Sequence, residues 1–295
     1  MKATYTLCIE WFYPGFPNLS SVETGIGPLR AALKQTNDLG FGAAELVAPL
    51  LGSDPLSIPA AARQEMRQAF VEAGVKFAGF HWALLGANTA ARRVHLTDPT
   101  AKSENVAWLI GLAQLCHDLG GGVIVVGSPK QRNIAAVPGL DYETGFAAAV
   151  DTFQTVAAQM PADVTYAVEQ LDRGETDFLT EFAEAQRLVD RVASPRVQLV
   201  FDLKALLRNG LSEPEAAAVI IRHKGSIVHV HVNDKDKGGP RPDGSDLQPV
   251  LRALSDTGYT GCISVEVFNG DTVPLAQSAR VALELMHGIC GKLWL

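Results

Sequence analysis

Four residues with carboxylate or imidazole side chains recur through the second half of the chain, each at the end of a short apolar run. They are Glu169 in TYAVEQL, Asp202 in VQLVFDL, His231 in IVHVHVND and Glu266 in CISVEVF, at intervals of 33, 29 and 35 residues. An unpaired buried ion is costly, and no cluster of basic residues matches these four. Three carboxylates and one imidazole suit Mn²⁺, Mg²⁺ or Co²⁺, so the pattern predicts a site for one divalent metal. Structural ion pairs remain the alternative interpretation.

These groups can meet only if the runs that carry them are neighbouring strands. The chain contains eight such runs, at residues 5–9, 42–47, 76–80, 122–126, 164–168, 197–201, 227–232 and 262–267. Most are continuously apolar, as expected for parallel strands covered on both faces. Segments of helical character separate or follow them, at residues 28–40, 57–74, 99–122, 142–160, 176–192, 212–225, 245–258 and 274–288.

Alternation of eight strands with helices allows a doubly wound open sheet or a closed barrel. No glycine-rich phosphate loop follows the first strand, where the sequence reads EWFYPGFP. The strand count favours an α/β fold with a single (β/α)₈ TIM barrel over residues 1–295. In such barrels the reactive groups lie at the carboxyl ends of the strands, which is where the four candidate ligands are.

Composition excludes several classes of function. The net charge of −7 and the lack of a basic block argue against a nucleic-acid partner. The four cysteines are too far apart for a zinc knuckle or a disulfide framework. Neither a signal sequence nor a membrane span is recognisable, so we expect a cytoplasmic protein. The oligomeric state is open, with a homodimer or homotetramer among the candidates.

Several motifs resemble those of a known family. The stretch VEQLDRGET is similar to the Glu-x-Leu-Asn-Arg-x-Glu segment of the ketose 3-epimerases, which belong to the xylose-isomerase-like superfamily. HVHVNDKD and GYTGCISVEVF resemble the strand-seven and strand-eight signatures of that superfamily. FHW at 80–82 and VIVVGSPKQRN at 123–133 resemble a bacterial branch of sugar phosphate isomerases/epimerases. The resemblance covers essentially the whole chain.

The resemblance implies a role for each ligand-type residue. Glu169 and Glu266 look like two catalytic carboxylates that also bind the metal, with Asp202 and His231 as the other ligands. Glu175 resembles a substrate-binding glutamate. Mn²⁺ is the expected ion, with Mg²⁺, Co²⁺ and Zn²⁺ left open. The implied reaction is epimerisation or aldose–ketose isomerisation of a small free or phosphorylated sugar through an enediolate, with one carboxylate removing a proton and the other returning one.

Two positions depart from the ketose 3-epimerase pattern. A histidine usually comes three residues after the strand-six aspartate, and here that position is Ala205, with Lys204 beside it as a substitute substrate contact. An arginine is common six residues after the strand-seven histidine, and here that position is Lys237. These departures leave the substrate open.

Further candidates stand at other strand ends. His81 and Trp82 follow strand three and are expected to contact sugar hydroxyls and to form an aromatic wall, with a packed histidine as the alternative. Glu10 and Glu45 end strands one and two and either bind substrate or pair with a nearby base. We expect His229 to face the opposite side of its strand from the metal and to pack in the core.

Three other functions are compatible with such a barrel. A dehydratase of a keto-inositol or a related acid could start elimination with the same base. Apurinic endonucleases share the superfamily, but they need more histidines around three metals and a basic groove, whereas this chain has seven histidines and a net charge of −7. A non-catalytic sugar-binding barrel is the third, and the complete set of four ligands argues against it.

Overall fold

Eight parallel strands close into one barrel in the computed structural model, which describes residues 3–270 and 272–293. The strands are β1 (Thr4–Cys8), β2 (Ala43–Leu46), β3 (Lys76–Phe80), β4 (Gly122–Val126), β5 (Val164–Glu169), β6 (Val197–Asp202), β7 (Ile227–Val232) and β8 (Cys262–Val265). Each pairs with the next, and β1 closes the sheet against β8. The predicted fold is confirmed, and every strand end lies within two residues of its predicted position.

Helices connect the strands and cover the outside of the barrel. They are α1 (Ile26–Asp38), α2 (Ala60–Ala73), α3 (Lys102–Leu119), α4 (Tyr142–Ala157), α5 (Phe182–Val192), α6 (Leu203–Arg208), α7 (Glu213–His223), α8 (Gln248–Asp256) and α9 (Leu275–Leu293). Within the described ranges, no helix is both long and apolar enough to cross a membrane.

The helix ends follow local chemistry. A capping box of Glu181 and Glu184 begins α5, so this helix starts six residues later than predicted. A second capping box, of Ser212 and Glu215, begins α7. Gly74 ends α2 at a φ of 66°, a conformation that glycine adopts without steric cost.

The short helix α6 was not predicted. It begins directly after β6, and the Asp202 side chain caps it by accepting a hydrogen bond from the Ala205 N–H at 2.8 Å. Six residues are too few for a helical period to show in the sequence. The cap occupies Asp202 Oδ1 and leaves Oδ2 for other contacts.

A small apolar cluster forms a floor inside the barrel. Val125, Ala167 and Val200 pack together, separately from the large core cluster. Because side chains two residues apart share a face of a strand, Ala167 lies below Glu169 and Val200 lies below Asp202. Glu169 and Asp202 therefore rest on an apolar layer.

Candidate metal centre and active site

The four predicted ligands come together at the carboxyl end of the barrel. Glu169 and Asp202 end β5 and β6, His231 is the penultimate residue of β7, and Glu266 directly follows β8. All four are buried, and one ligand atom from each lies within 4.8 Å of the others. Adjacent parallel strands thus deliver four donor groups to one place.

The environment of His231 fits a bound cation. Its Nδ1 lies 3.2 Å from Glu266 Oε2, 3.7 Å from Glu169 Oε1 and 4.0 Å from Asp202 Oδ2. Its Nε2 lies 3.0 Å from Glu45 Oε1 and can donate there. In a neutral imidazole the other nitrogen then carries a lone pair, and Nδ1 has no hydrogen-bond partner among the described residues. Burial lowers the pKa of His231, but Glu266 and Glu45 outweigh it and raise that pKa well above its usual value. The position therefore favours positive charge, either a proton on Nδ1 or a divalent cation, which three oxygen donors with one nitrogen suit.

The local charges act in opposite directions on two of the carboxylates. Burial, reinforced by the neighbouring Glu169 and Glu266, raises the pKa of Asp202 well above its usual value, against the effect of Lys204. Burial would also raise the pKa of Glu266, but the imidazoles of His231 and His81 outweigh it and hold that pKa well below its usual range. The cluster carries more negative than positive groups, which a divalent cation would compensate.

Asn233 braces the cluster and was missed in the sequence. It lies two residues after His231, so the two side chains share a face of the chain. Its Nδ2 donates to Asp202 Oδ2 at 3.2 Å and to Glu266 Oε2 at 3.3 Å, and its Oδ1 accepts from the Lys204 N–H at 2.8 Å. The alternation in HVHVND is the signal that could have identified it.

The expectation for His229 was wrong. Its ring lies inside the barrel, where Nε2 is 2.7 Å from Glu45 Oε2, and it does not pack between strand and helices. The reason is geometric, since residues two apart on a strand point to the same side, and His229 and His231 are two apart. Glu45 is fully buried and binds both histidines, so of its two predicted roles the structure shows pairing with basic groups.

His81 lies behind Glu266 instead of lining the cavity. Its ring is fully buried, with Nε2 3.1 Å from Glu10 Oε2 and Nδ1 3.3 Å from Glu266 Oε1. Burial lowers the pKa of His81, but Glu10 and Glu266 outweigh it and raise that pKa to about 10. Both ring nitrogens face carboxylates, so the predicted contact with sugar hydroxyls is replaced by support of a carboxylate. The alternative of a packed histidine describes His81 better.

A cavity of about 350 Å³ opens above the metal cluster, with Glu169 and Glu266 in its wall. Trp82 also lines it, at a φ of 49° that is uncommon outside glycine and often marks functional sites. The indole stacks between the rings of Phe16 and Phe268, at centroid distances of 6.4 and 6.0 Å. The predicted aromatic wall is therefore present.

Three predicted substrate residues form one ionic network at the cavity. Lys204 Nζ lies 3.2 Å from Glu175 Oε2, and Lys237 Nζ lies 3.2 Å from Glu175 Oε1. The Lys204 side chain is 2% exposed and its ammonium lies 4.3 Å from the centre of the Phe268 ring. Burial lowers the pKa of Lys204, but the surrounding carboxylates, Asp202 first, raise it more, so the lysine is charged. Glu175 and Lys204 line the cavity, whereas Lys237 reaches Glu175 from the loop after β7.

The family model of the xylose isomerase-like TIM barrel matches residues 33–288, which is most of the chain. The chain belongs to this family. Its membership confirms the resemblance seen in the sequence motifs, and the closed eight-stranded barrel agrees with it.

The curated relatives of this xylose isomerase-like barrel are named as sugar epimerases. It is 25% identical over 180 residues to a probable ketose 3-epimerase of Synechocystis sp., covering 60% of this chain and 61% of that protein. It is 24% identical over 190 residues to the L-ribulose 3-epimerase of Mesorhizobium japonicum, and the match covers 63% of this chain and 61% of that protein. The match thus spans about 61% of the length of both relatives.

A solved structure with the same fold is the D-psicose 3-epimerase of Clostridium cellulolyticum H10 with D-tagatose. The TM-score is 0.76 at 16% identity, over 97% of this chain and 99% of the other. At that identity the likeness establishes the shared barrel for nearly the whole chain.

Proposed function

We propose that the protein is a divalent-metal-dependent sugar isomerase or epimerase, with epimerisation of a ketose beside its carbonyl as the leading reaction. The observation that carries the proposal is the position of Glu169 and Glu266, which belong to the four-residue cluster and also line the cavity. The names of the two relatives, a probable ketose 3-epimerase and an L-ribulose 3-epimerase, support the same reaction class.

The proposed reaction uses two carboxylates on different sides of the sugar. Glu169 comes from β5 and Glu266 follows β8, three strands further round the ring of eight. One carboxylate takes the proton of the carbon beside the ketone, and the C–H electron pair moves into the enediolate. The other carboxyl group gives its proton to the opposite face of that carbon, which inverts it. A bound divalent ion supplies Lewis-acid stabilisation of the charge that develops on the substrate oxygens.

Other cavity residues orient the sugar. Glu175 accepts hydrogen bonds from hydroxyl groups, while Lys204 and Lys237 donate to hydroxyl or carbonyl oxygens next to it. Trp82 and Phe268 pack against the apolar face of the sugar ring or chain and exclude water from the proton-transfer step.

Mn²⁺ is the ion that we expect, because the cluster offers three carboxylates and one imidazole and no thiolate. We also propose a cytoplasmic location. In the part of the chain that the structure describes, all four cysteines are free thiols, which supports a reducing compartment.

The decisive experiment is to incubate the Mn²⁺-loaded protein with a panel of ketoses in D₂O. Deuterium at C3 with inversion identifies an epimerase, deuterium at C1 an isomerase, and loss of water a dehydratase. Glu169→Gln and Glu266→Gln should each lower turnover by about 10²- to 10⁴-fold, because each removes a proton-transfer group.

Glu143→Gln is the matched control, because Glu143 pairs with Arg187 on the surface. This variant should keep wild-type turnover. If wild-type protein exchanges no deuterium into any sugar, or if a glutamine at either cavity position leaves turnover unchanged, the two-carboxylate reaction is refuted.

A further inference from the structure

Two buried carboxylates below the metal cluster belong to neither the predicted ligands nor the cavity wall. We propose that Glu45 is a positioning residue that holds the metal-facing nitrogen of His231 as a lone pair, and that Glu10 holds Glu266 in place through His81. The proposal rests on the proposed metal centre and assigns different tasks to the two carboxylates.

Glu45 determines the tautomer of His231. A carboxylate only accepts hydrogen bonds, so the Nε2 of His231, 3.0 Å from Glu45 Oε1, must carry the hydrogen. A neutral imidazole has one N–H group, and Nδ1 is then free to bind a cation. Histidine ligands of metals are commonly held by such a carboxylate, which also fixes the orientation of the ring.

His229 keeps Glu45 in place. Its Nε2 lies 2.7 Å from Glu45 Oε2, so each oxygen of the carboxylate has its own imidazole donor. The two rings are 5.1 Å apart and nearly perpendicular. With both oxygens engaged and the side chain fully buried, Glu45 cannot turn away from His231 without losing a hydrogen bond.

The pair of Glu10 and His81 acts on a different group. His81 Nε2 lies 3.1 Å from Glu10 Oε2, and its Nδ1 lies 3.3 Å from Glu266 Oε1. The other oxygen of Glu266, Oε2, faces His231 at 3.2 Å. Two imidazoles therefore flank one carboxylate, and His81, which Glu10 holds, forms an ion pair with the oxygen of Glu266 that does not face the predicted metal position.

The two carboxylates are thus expected to differ in what they control. Glu45→Gln should weaken Mn²⁺ binding by about 10- to 100-fold, the usual effect of removing such a support, and saturating Mn²⁺ should restore most of the turnover. Glu10→Gln should leave the Mn²⁺ dissociation constant within about threefold and should lower kcat by about tenfold even at saturating metal.

Isothermal titration with Mn²⁺ and steady-state kinetics at rising Mn²⁺ measure both effects. Ser264→Ala is the control, because Ser264 is buried beside His231 in the sheet and, among the described residues, its hydroxyl has one side-chain hydrogen-bond partner, the Cys8 thiol at 3.4 Å. It should leave both the Mn²⁺ affinity and kcat unchanged. Equal Mn²⁺ affinity in Glu45→Gln and wild type would overturn the role of Glu45, and an unchanged kcat in Glu10→Gln would overturn the role of Glu10.

A measurement on the wild-type protein covers the case in which a variant fails to fold. In the Zn²⁺-loaded protein, ¹H–¹⁵N correlation spectra of the histidine rings should show His231 protonated at Nε2 and not at Nδ1. Protonation at Nδ1 would refute the proposal. If the wild type binds no divalent ion at all, it is the proposed function that fails; if it binds one but Glu45→Gln binds it equally well, only the present inference fails.

Discussion

The first three strands and the last four contribute to the same centre in different ways. Strands β5 to β8 carry the four groups that face the predicted metal position. The ends of β1, β2 and β3 carry Glu10, Glu45 and His81, which reach that centre only through another side chain. Glu45 and His229 are 184 residues apart in sequence and meet because the sheet closes on itself. Closure thus brings the four candidate ligands, all from β5 to β8, against supporting carboxylates and an imidazole from β1 to β3, while β7 adds further support through His229 and Asn233.

His231 gives the strongest test of this comparison, because its Nδ1 faces the carboxylates of β5 to β8 and its Nε2 binds Glu45 of β2. His231→Ala removes a proposed ligand, so its loss of Mn²⁺ affinity should exceed the 10- to 100-fold loss expected for Glu45→Gln. Titration calorimetry and the metal content of the purified protein measure it. An unchanged metal-to-protein ratio would remove His231 from the centre and with it the distinction between the two groups of strands.

Gly127, just after β4, leaves the space that the Glu169 side chain occupies. A methyl group there would overlap Glu169 Oε2, so Gly127→Ala should displace this carboxylate and lower turnover by about 10²-fold. Gly288→Ala is the matched control, because a methyl group there, in α9, would meet no described atom within 4 Å outside its own helix backbone and its chain neighbours. It should keep full activity and gain about 0.5–1 kcal/mol of stability. Wild-type turnover in Gly127→Ala would show that Glu169 need not stay where the structure places it.

The smallest effect is expected in the loop that carries Glu175. Asp172 in this loop accepts a hydrogen bond from Arg208 Nε at 2.7 Å. Burial raises the pKa of Asp172, but the bond from Arg208 and other local donors lower it more, so the folded-state pKa is below the unfolded one. The ionised carboxylate of Asp172 therefore stabilises the folded protein fully above the pKa of about 3.9 that it has in the unfolded chain. This stabilisation is lost as the pH falls through the lower pKa that Asp172 has in the folded protein.

Asp172→Asn should accordingly reduce the free energy of unfolding by about 1–3 kcal/mol at pH 7, and the difference should shrink as the pH falls below about 4. Urea unfolding at a series of pH values measures it. A difference that is independent of pH would mean that the charge of Asp172 has no part in holding the loop.

Much of the site could be predicted because strand ends are visible in a sequence. Apolar runs mark the eight strands, and a carboxylate or imidazole that ends such a run stands out, as with Glu169, Asp202 and Glu266. The family model and the barrel topology confirm the fold. The metal itself and the roles of its ligands stay predictions.

The missed contacts depend on which side of the chain a group faces and on what lies across the barrel. Asn233 follows β7 and carries no charge, so a search for carboxylates and imidazoles misses it, although the alternation in HVHVND puts it on the same face as His231. Glu10 and Glu45 were recognised as strand-end acids, but their partners come from strands far away in sequence. His229 was assigned to the wrong side of its strand, although the alternation of side chains gives the correct side.

The pairing of β1 with β8 has a consequence for synthesis of the protein. While the ribosome is still adding residues before β8, the chain lacks Glu266 and the first strand has no neighbour on one edge. The full set of four donors exists only after β8 and Glu266 have emerged. A chain that ends before β8 therefore holds three of the four candidate ligands, and the proposed metal site is incomplete until the last strand is made.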